Sequence, residues 1–198
     1  MPVDTSPPRD VRSLFPRLEA LLPHVQKPIQ YVGGELNSTV KDWDATDVGW
    51  ALMYPDAYEV GLPNQGVMIL YEVLNEQPGV LAERTYSVWP DLENLMREHG
   101  VPQFTVDAHR PVKAFDVLGV SFSTELGYTN LLGALDLAGI PIRAIDRTDD
   151  DPIVLAERTY AVWPDLEALM RQHEVPQFTV DGHRPVKDFD LLGVSFST

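Results

Sequence analysis

Two stretches of the chain place chemically capable side chains at positions where a sheet could present them. The first is Tyr54-Pro55-Asp56-Ala57-Tyr58-Glu59-Val60-Gly61-Leu62-Pro63-Asn64, between an apolar run and a helical pattern. It brings two carboxylates, two phenols and a glycine to the approach of a helix N-terminus, a combination suited to cradling the edge of a cofactor. The second is Ser121-Phe122-Ser123, which ends another apolar run with two hydroxyls. In open parallel sheets, ligands bind beyond the carboxyl ends of the strands, where the strand order reverses. Asp56, Tyr58, Glu59, Gly61, Ser121 and Ser123 are therefore the candidate cofactor-binding residues. No catalytic residue and no metal ligand is assigned, because the five histidines share no i, i+4 pair on a helix face.

The remaining polar features read as structural. Asp107-Ala108-His109 and its later copy Asp181-Gly182-His183 sit just before Arg-Pro and read as surface turns. Gly33-Gly34 lacks the strand and helix that a phosphate cradle needs, and Asp149-Asp150-Asp151 before Pro152 reads as a solvated loop. Trp89 and Trp163 read as caps on hydrophobic layers. A phosphoryl-accepting receiver, which uses a similar sheet, needs an acceptor Asp where this chain has Ser121-Phe122-Ser123.

The elements that position these groups follow from pattern. Trp50–Tyr54, Val80–Ala82, Val117–Phe122, Ile153–Ala156 and Leu191–Val194 are short runs of continuous apolarity, the signature of strands buried on both faces. Helical spacing falls between them: Leu14, Leu18 and Leu21; Val67, Leu70, Tyr71 and Leu74; Leu92, Leu95 and Met96; Tyr128, Leu131, Leu132 and Leu135. Pro63 and Pro90 open two of these helices, and Gly100 and Gly139 close two. Strand–helix alternation at this spacing predicts an α/β fold with an open, mostly parallel, doubly wound, Rossmann-like sheet.

A repeat overlies this order. Residues 80–124 recur as residues 154–198, and only seven of 45 positions differ: Ser87/Ala161, Asn94/Ala168, Glu98/Gln172, Gly100/Glu174, Ala108/Gly182, Ala114/Asp188 and Val117/Leu191. One spaced pair is a segmental duplication rather than a solenoid. The expected organisation is a tail, short helix and lead-in over 1–47, an α/β domain over 48–153, and a near-copy over 154–198 that extends the sheet or competes with it. Ending on a strand-like run suggests truncation, and an apolar final strand suggests self-association through that edge.

Composition narrows the function classes. Thirty Asp and Glu against 15 Lys and Arg leave a net charge of −15, which disfavours nucleic acid and anionic membrane surfaces as partners. There is no cysteine, so thiolate metal sites, disulfides and Cys-held iron–sulfur clusters are excluded for this chain. The first residues, MPVDTSPPRD, carry no signal-peptide pattern, and the expected location is cytoplasmic.

Several ordered segments carry a resemblance: Tyr31-Val32-Gly33-Gly34-Glu35-Leu36-Asn37-Ser38, Tyr54-Pro55-Asp56-Ala57-Tyr58-Glu59-Val60-Gly61, Val88-Trp89-Pro90-Asp91, and Ser121-Phe122-Ser123-Thr124-Glu125-Leu126-Gly127-Tyr128-Thr129-Asn130. Together they resemble the N-terminal, cobalamin-binding-like region of a radical SAM protein family, over roughly residues 12–156. The resemblance implies cobalamin at the sheet edge, and a 4Fe–4S cluster with S-adenosylmethionine in a full-length member. It also implies a partner, either a radical SAM barrel or another subunit.

Three departures accompany it. The cluster-holding cysteines are missing; Tyr58 stands where the cobalamin fingerprint Asp-x-His-x-x-Gly has its histidine; and Glu157-Arg158 replaces a Gly-Gly turn. Two readings follow, a corrinoid-binding segment without a catalytic core, or a non-catalytic interaction module. The lack of cysteine predicts that anaerobic reconstitution leaves the purified chain free of stoichiometric iron and unable to form 5′-deoxyadenosine; iron together with that product would contradict it.

Overall fold

Aliphatic runs flanked by amphipathic helices can be buried on both faces only if helices cover both sides of one sheet. The computed structural model, which describes residues 11–122 and 127–155, has this arrangement. Its main elements are α1 (Phe15–Glu19), β1 (Val48–Ala57), α2 (Tyr58–Gly61), α3 (Gln65–Glu76), β2 (Val80–Ser87), α4 (Pro90–His99), β3 (Val117–Val120), α5 (Gly127–Ala138) and β4 (Ile153–Leu155). The four strands are all parallel, in the order β2-β1-β3-β4. The open α/β sheet read from the sequence is the fold of the chain.

Each face has its own core. Leu52, Tyr54, Ala82 and Tyr86 pack against Val67, Tyr71 and Leu74 of α3, Leu92 and Met96 of α4, and the N-terminal Leu14 and Leu18. Ala51, Met53 and Leu118 pack on the opposite face against Leu131, Ala134 and Leu135 of α5. The helix ends follow local chemistry. Asn64 Oδ1 accepts from the Val67 amide at 3.0 Å to start α3. Gly100, at φ +64°, ends α4 in the left-handed region while the Val101 amide closes on the Met96 carbonyl.

The structure corrects three expectations. The first strand does not end at Tyr54: β1 runs on to Ala57 and α2 follows directly. β2 does not end at Ala82 but continues through Glu83-Arg84-Thr85-Tyr86-Ser87, with Glu83, Arg84 and Thr85 all buried. Asp107 and His109 are not surface turn residues, since both are buried. Residues 1–10, Ser123, and the second copy from residue 156 onward, with Trp163, Asp181-Gly182-His183 and Leu191–Val194, lie outside the described residues.

Charged residues in a buried edge strand need partners on both faces of the sheet. Glu83 and Arg84 are neighbours, so their side chains project to opposite faces. One tetrapeptide, Asp107-Ala108-His109-Arg110, serves both. On one face Arg84 Nη2 donates to Asp107 Oδ1 at 2.6 Å, and the Arg84 amide donates to Asp107 Oδ2 at the same distance. On the other face Arg110 pairs with Glu83, whose second oxygen accepts from Thr105 Oγ1 at 2.5 Å. The Val106 amide donates to the Arg84 carbonyl at 2.8 Å, so the segment also covers the open hydrogen-bonding edge of β2. Residues 103–110 act as a clasp over that edge.

Removing one partner of a buried ion pair leaves an uncompensated charge, at a cost of about 3–5 kcal/mol. Urea unfolding should find R84M destabilised by about that amount, and R84M/D107L destabilised by less than R84M alone. An R84M loss below about 1 kcal/mol, the range of exposed pairs, would contradict the clasp.

Candidate functional site

The order β2-β1-β3-β4 places the switch point between β1 and β3, and the carboxyl ends of those strands carry the predicted residues. Asp56 Oδ1 accepts from the adjacent Ala57 amide at 2.7 Å. The Tyr58 hydroxyl donates to Glu35 Oε1 at 2.8 Å, and its ring meets Tyr86 edge-on with centroids 5.5 Å apart. Burial, and then the Glu35 carboxylate, push the Tyr58 phenol up to about 12. Glu59 turns outward to Lys27, 2.7 Å away. A Cβ on Gly61 would lie 2.4 Å from the Tyr86 ring, so glycine there admits that ring. The Ser121 amide donates to the Met53 carbonyl at 2.9 Å as β3 ends.

Tyr58 and Gly61 thus converge on Tyr86, whereas Asp56 and Glu59 make their contacts elsewhere. At the switch point itself α5 closes against the strand ends. Asn130 Nδ2 donates to the Pro55 carbonyl at 2.9 Å, and a Cβ on Gly127 would meet Phe122 and Pro55 at 3.1 Å. The rings of Phe122 and Tyr128 lie 4.9 Å apart in the same region.

The densest polar cluster is one that the sequence reading passed over. Around Arg84 stand Glu35, Ser38, Tyr71 and Asp107. Arg84 Nη2 donates to Ser38 Oγ at 3.0 Å and lies 3.7 Å from Glu35 Oε2, while its guanidinium stacks 4.4 Å from the Tyr71 ring centroid. Ser38 Oγ and the Tyr71 hydroxyl both donate to Asp107 Oδ1, at 2.9 and 3.3 Å. Through Glu35 the cluster reaches Tyr58, so the lead-in, β2, the clasp and the start of α2 form one polar network. Its sequence signal is Glu83-Arg84 inside a strand and Asp107-x-His109-Arg110 downstream, each present again in the second copy.

Gly33-Gly34 serves this network rather than a phosphate. Both residues have positive φ, and a Cβ on Gly33 would come within 2.3 Å of the Val106 carbonyl oxygen. The turn lets the lead-in lie directly on the clasp. His109 fastens the same junction from the other side. Its Nε2 lies 2.9 Å from the Tyr31 carbonyl, its ring packs on Phe15 and Phe104, and its own carbonyl accepts from the Leu14 amide at 2.7 Å. A carbonyl only accepts, so Nε2 carries the proton. His109 adopts φ +57°, a left-handed conformation held by these contacts.

Among the described residues, other features point to no second centre. A cavity of about 260 Å³ lined by Lys41, Asp42, Ala45, Thr46, Gly79 and Val80 lies at the amino ends of β1 and β2, opposite the switch point. Lys41 Nζ there is already engaged with the Asn75 and Val80 carbonyls, at 2.5 and 2.6 Å. Among the described residues no group of three His, Asp or Glu is arranged to hold a metal ion. Asp151 pairs with Lys113 at 2.9 Å and accepts from the Thr148 amide. No helix among the described residues is long and apolar enough to cross a membrane.

A family model described as radical SAM proteins, N-terminal, matches residues 66–156 and, separately, residues 154–198. The two matches together span residues 66–198, well over half of the chain. The chain belongs to that radical SAM N-terminal family. The second match begins at Val154, where the second copy of the repeat begins, so the family pattern is present twice. No curated protein and no solved structure gives a significant match. Radical SAM chemistry uses a 4Fe–4S cluster held by cysteines, and with no cysteine this segment does not fit one.

Burial pushes the His109 imidazole below its ordinary value. Below about pH 6.5 the unfolded chain takes up a proton that the folded chain refuses, so stability falls as pH drops, by up to about 1.4 kcal/mol per unit, until His109 protonates in the fold. Glu83, pushed up by burial, acts in the opposite sense around and above its ordinary carboxylate range. Subtracting the pH profile of H109Q isolates the histidine. The parent should lose stability relative to H109Q between pH 7 and 5 in chemical denaturation, and parallel profiles would contradict a buried neutral imidazole.

Proposed function

We propose that this radical SAM N-terminal segment is a non-catalytic interaction module, which docks on a radical SAM barrel or a partner subunit rather than holding a cofactor of its own. The observation that carries this reading is the closure of the sheet's carboxyl edge by the chain's own side chains. Tyr58, in the position of the cobalt-ligating histidine, gives its hydroxyl to Glu35, and the space over Gly61 is filled by Tyr86. A corrinoid ligated by the protein at this position would need a free side chain there and a flat opening beside it. Tyr58, engaged with Glu35, and Tyr86, packed over Gly61, supply neither.

The interaction reading draws on what the fold leaves exposed. Ile69 and Val73 lie one turn apart on the outer side of α3, and Leu36, fully exposed, and Val40 project from the lead-in that contacts Tyr71 of the same helix. Glu72 and Glu76 alternate with the apolar positions on α3, and the net charge of −15 favours a basic partner surface. The corrinoid reading keeps one observation in its favour, the switch point between β1 and β3, where Asp56 and Ser121 end adjacent strands.

Two measurements on the intact chain separate the readings. Titration with hydroxocobalamin should leave the visible spectrum of the corrinoid unchanged. A separately produced, cysteine-containing radical SAM core of the same family should bind the chain in calorimetry, with binding weakened by I69E/V73E. A stoichiometric spectral change that Y58F abolishes would overturn the interaction reading in favour of the corrinoid.

A further inference from the structure

The parallel register of β1 and β2 closes on the pair Ala57 and Ser87, so Glu59 and Trp89, each two residues further on, emerge from neighbouring strand ends. Between them lies the ammonium of Lys27. Its Nζ is 2.7 Å from Glu59 Oε1 and 4.4 Å from the centroid of the Trp89 ring. A carboxylate beside an aromatic face is a pairing that recognises organic cations, the first by charge and the second by the quadrupole of the ring. Here the chain supplies the cation from its own lead-in.

The frame around this ammonium is fixed, and its occupant is exchangeable. The Trp89 amide donates to the Tyr31 hydroxyl at 3.2 Å, and the Gln26 amide donates to Asp91 Oδ2 at 2.8 Å, so the lead-in is pinned to the start of α4 on both sides of Lys27. The Lys27 and Glu59 side chains are 43% and 41% exposed, and a pair so open to solvent adds little stability. Rotation of one flexible side chain clears the site without moving the backbone. Lys27 also fits the site incompletely, since it engages Glu59 through Oε1 alone. A guanidinium presents paired N–H groups that take both oxygens of a carboxylate, and a planar face that stacks on an indole. Asp91, tied to the residue before Lys27, adds a second carboxylate, so the local charge stays negative with Lys27 in place.

We propose that Glu59 and Trp89 form a recognition site for an arginine side chain of a partner protein, which Lys27 fills as an internal stand-in until the partner docks. The arginine takes both Glu59 oxygens and stacks on the indole, and Lys27 swings to solvent. The net charge of −15 favours a basic partner surface here as elsewhere on the chain. The source of the arginine rests on the interaction reading above, whereas the site itself answers to a small cation with no partner present.

K27A opens the site in the intact chain, and Lys27 is exposed enough for the fold to survive its loss. The indole N–H signal of Trp89 in a nitrogen-resolved NMR spectrum, identified by its disappearance in W89F, reports on the ring. N-acetyl-arginine amide should shift that signal saturably in K27A, and at higher concentration in the parent, where Lys27 competes. N-acetyl-citrulline amide, of the same shape without the charge, should leave it in place. Adding E59Q to K27A should weaken the arginine response by at least about tenfold. The chain has four tryptophans, and the other indole signals serve as references in the same spectra. No saturable shift in K27A, an equal shift from the citrulline probe, or an undiminished response in K27A/E59Q would overturn the proposal. The expected shifts in a chain that does not bind the radical SAM core would uphold the arginine site and overturn the interaction reading alone.

Discussion

The fold depends on how an edge strand with two adjacent charged residues is buried. Glu83 and Arg84 face opposite sides of the sheet, and neither can enter the interior without a partner of opposite charge. Both partners come from the tetrapeptide at residues 107–110, which lies across the strand's open edge. The Gly33-Gly34 turn packs against the same segment, and the start of α1 is anchored to it through His109. Replacing the clasp with apolar residues could give comparable stability, but it would remove the directional contacts that fix where the lead-in lies.

Most of the scaffold was legible because apolar continuity and helix punctuation are local signals. Val117–Val120 and the two helices over 65–76 and 90–99 needed only their own residues to be recognised. The clasp was not legible for a physical reason. Asp107 and His109 sit in a turn beside Pro111, a context usually exposed, and their burial is set by Arg84 and by the N-terminal segment, far away in the chain. Likewise Glu83-Arg84-Thr85 looks like the end of a strand until a covering segment supplies hydrogen bonds. The repetition of both charged pairs in the second copy is the one sequence signal that links them.

The candidate site divides in a similar way. The sheet order placed Asp56, Tyr58, Glu59, Gly61 and Ser121 at the carboxyl ends of β1 and β3, as parallel-strand geometry requires. Convergence is a different matter, because side-chain direction depends on neighbours that spacing does not reveal. Tyr58 turns toward Glu35 and Tyr86, while Glu59, its next neighbour, turns to solvent and Lys27. At the ends of β1 and β2 in this α/β frame, the chain's own residues Tyr58, Glu35 and Tyr86 make internal contacts. The polar network around Arg84 reaches this edge through Glu35, which accepts from the Tyr58 hydroxyl.

The central claim is that the Arg84 guanidinium is held in a fixed, solvent-excluded geometry by Asp107. Nitrogen-resolved NMR of the arginine side chains tests it directly, with Arg143, whose side chain is 75% exposed, as an internal reference. The account predicts distinct, slowly exchanging Nη protons for Arg84, with restricted rotation about Nε–Cζ, in the same spectrum that shows averaged, rapidly exchanging signals for Arg143. Averaged and rapidly exchanging Arg84 signals would contradict the clasp, and with it the explanation of how the sheet edge is closed.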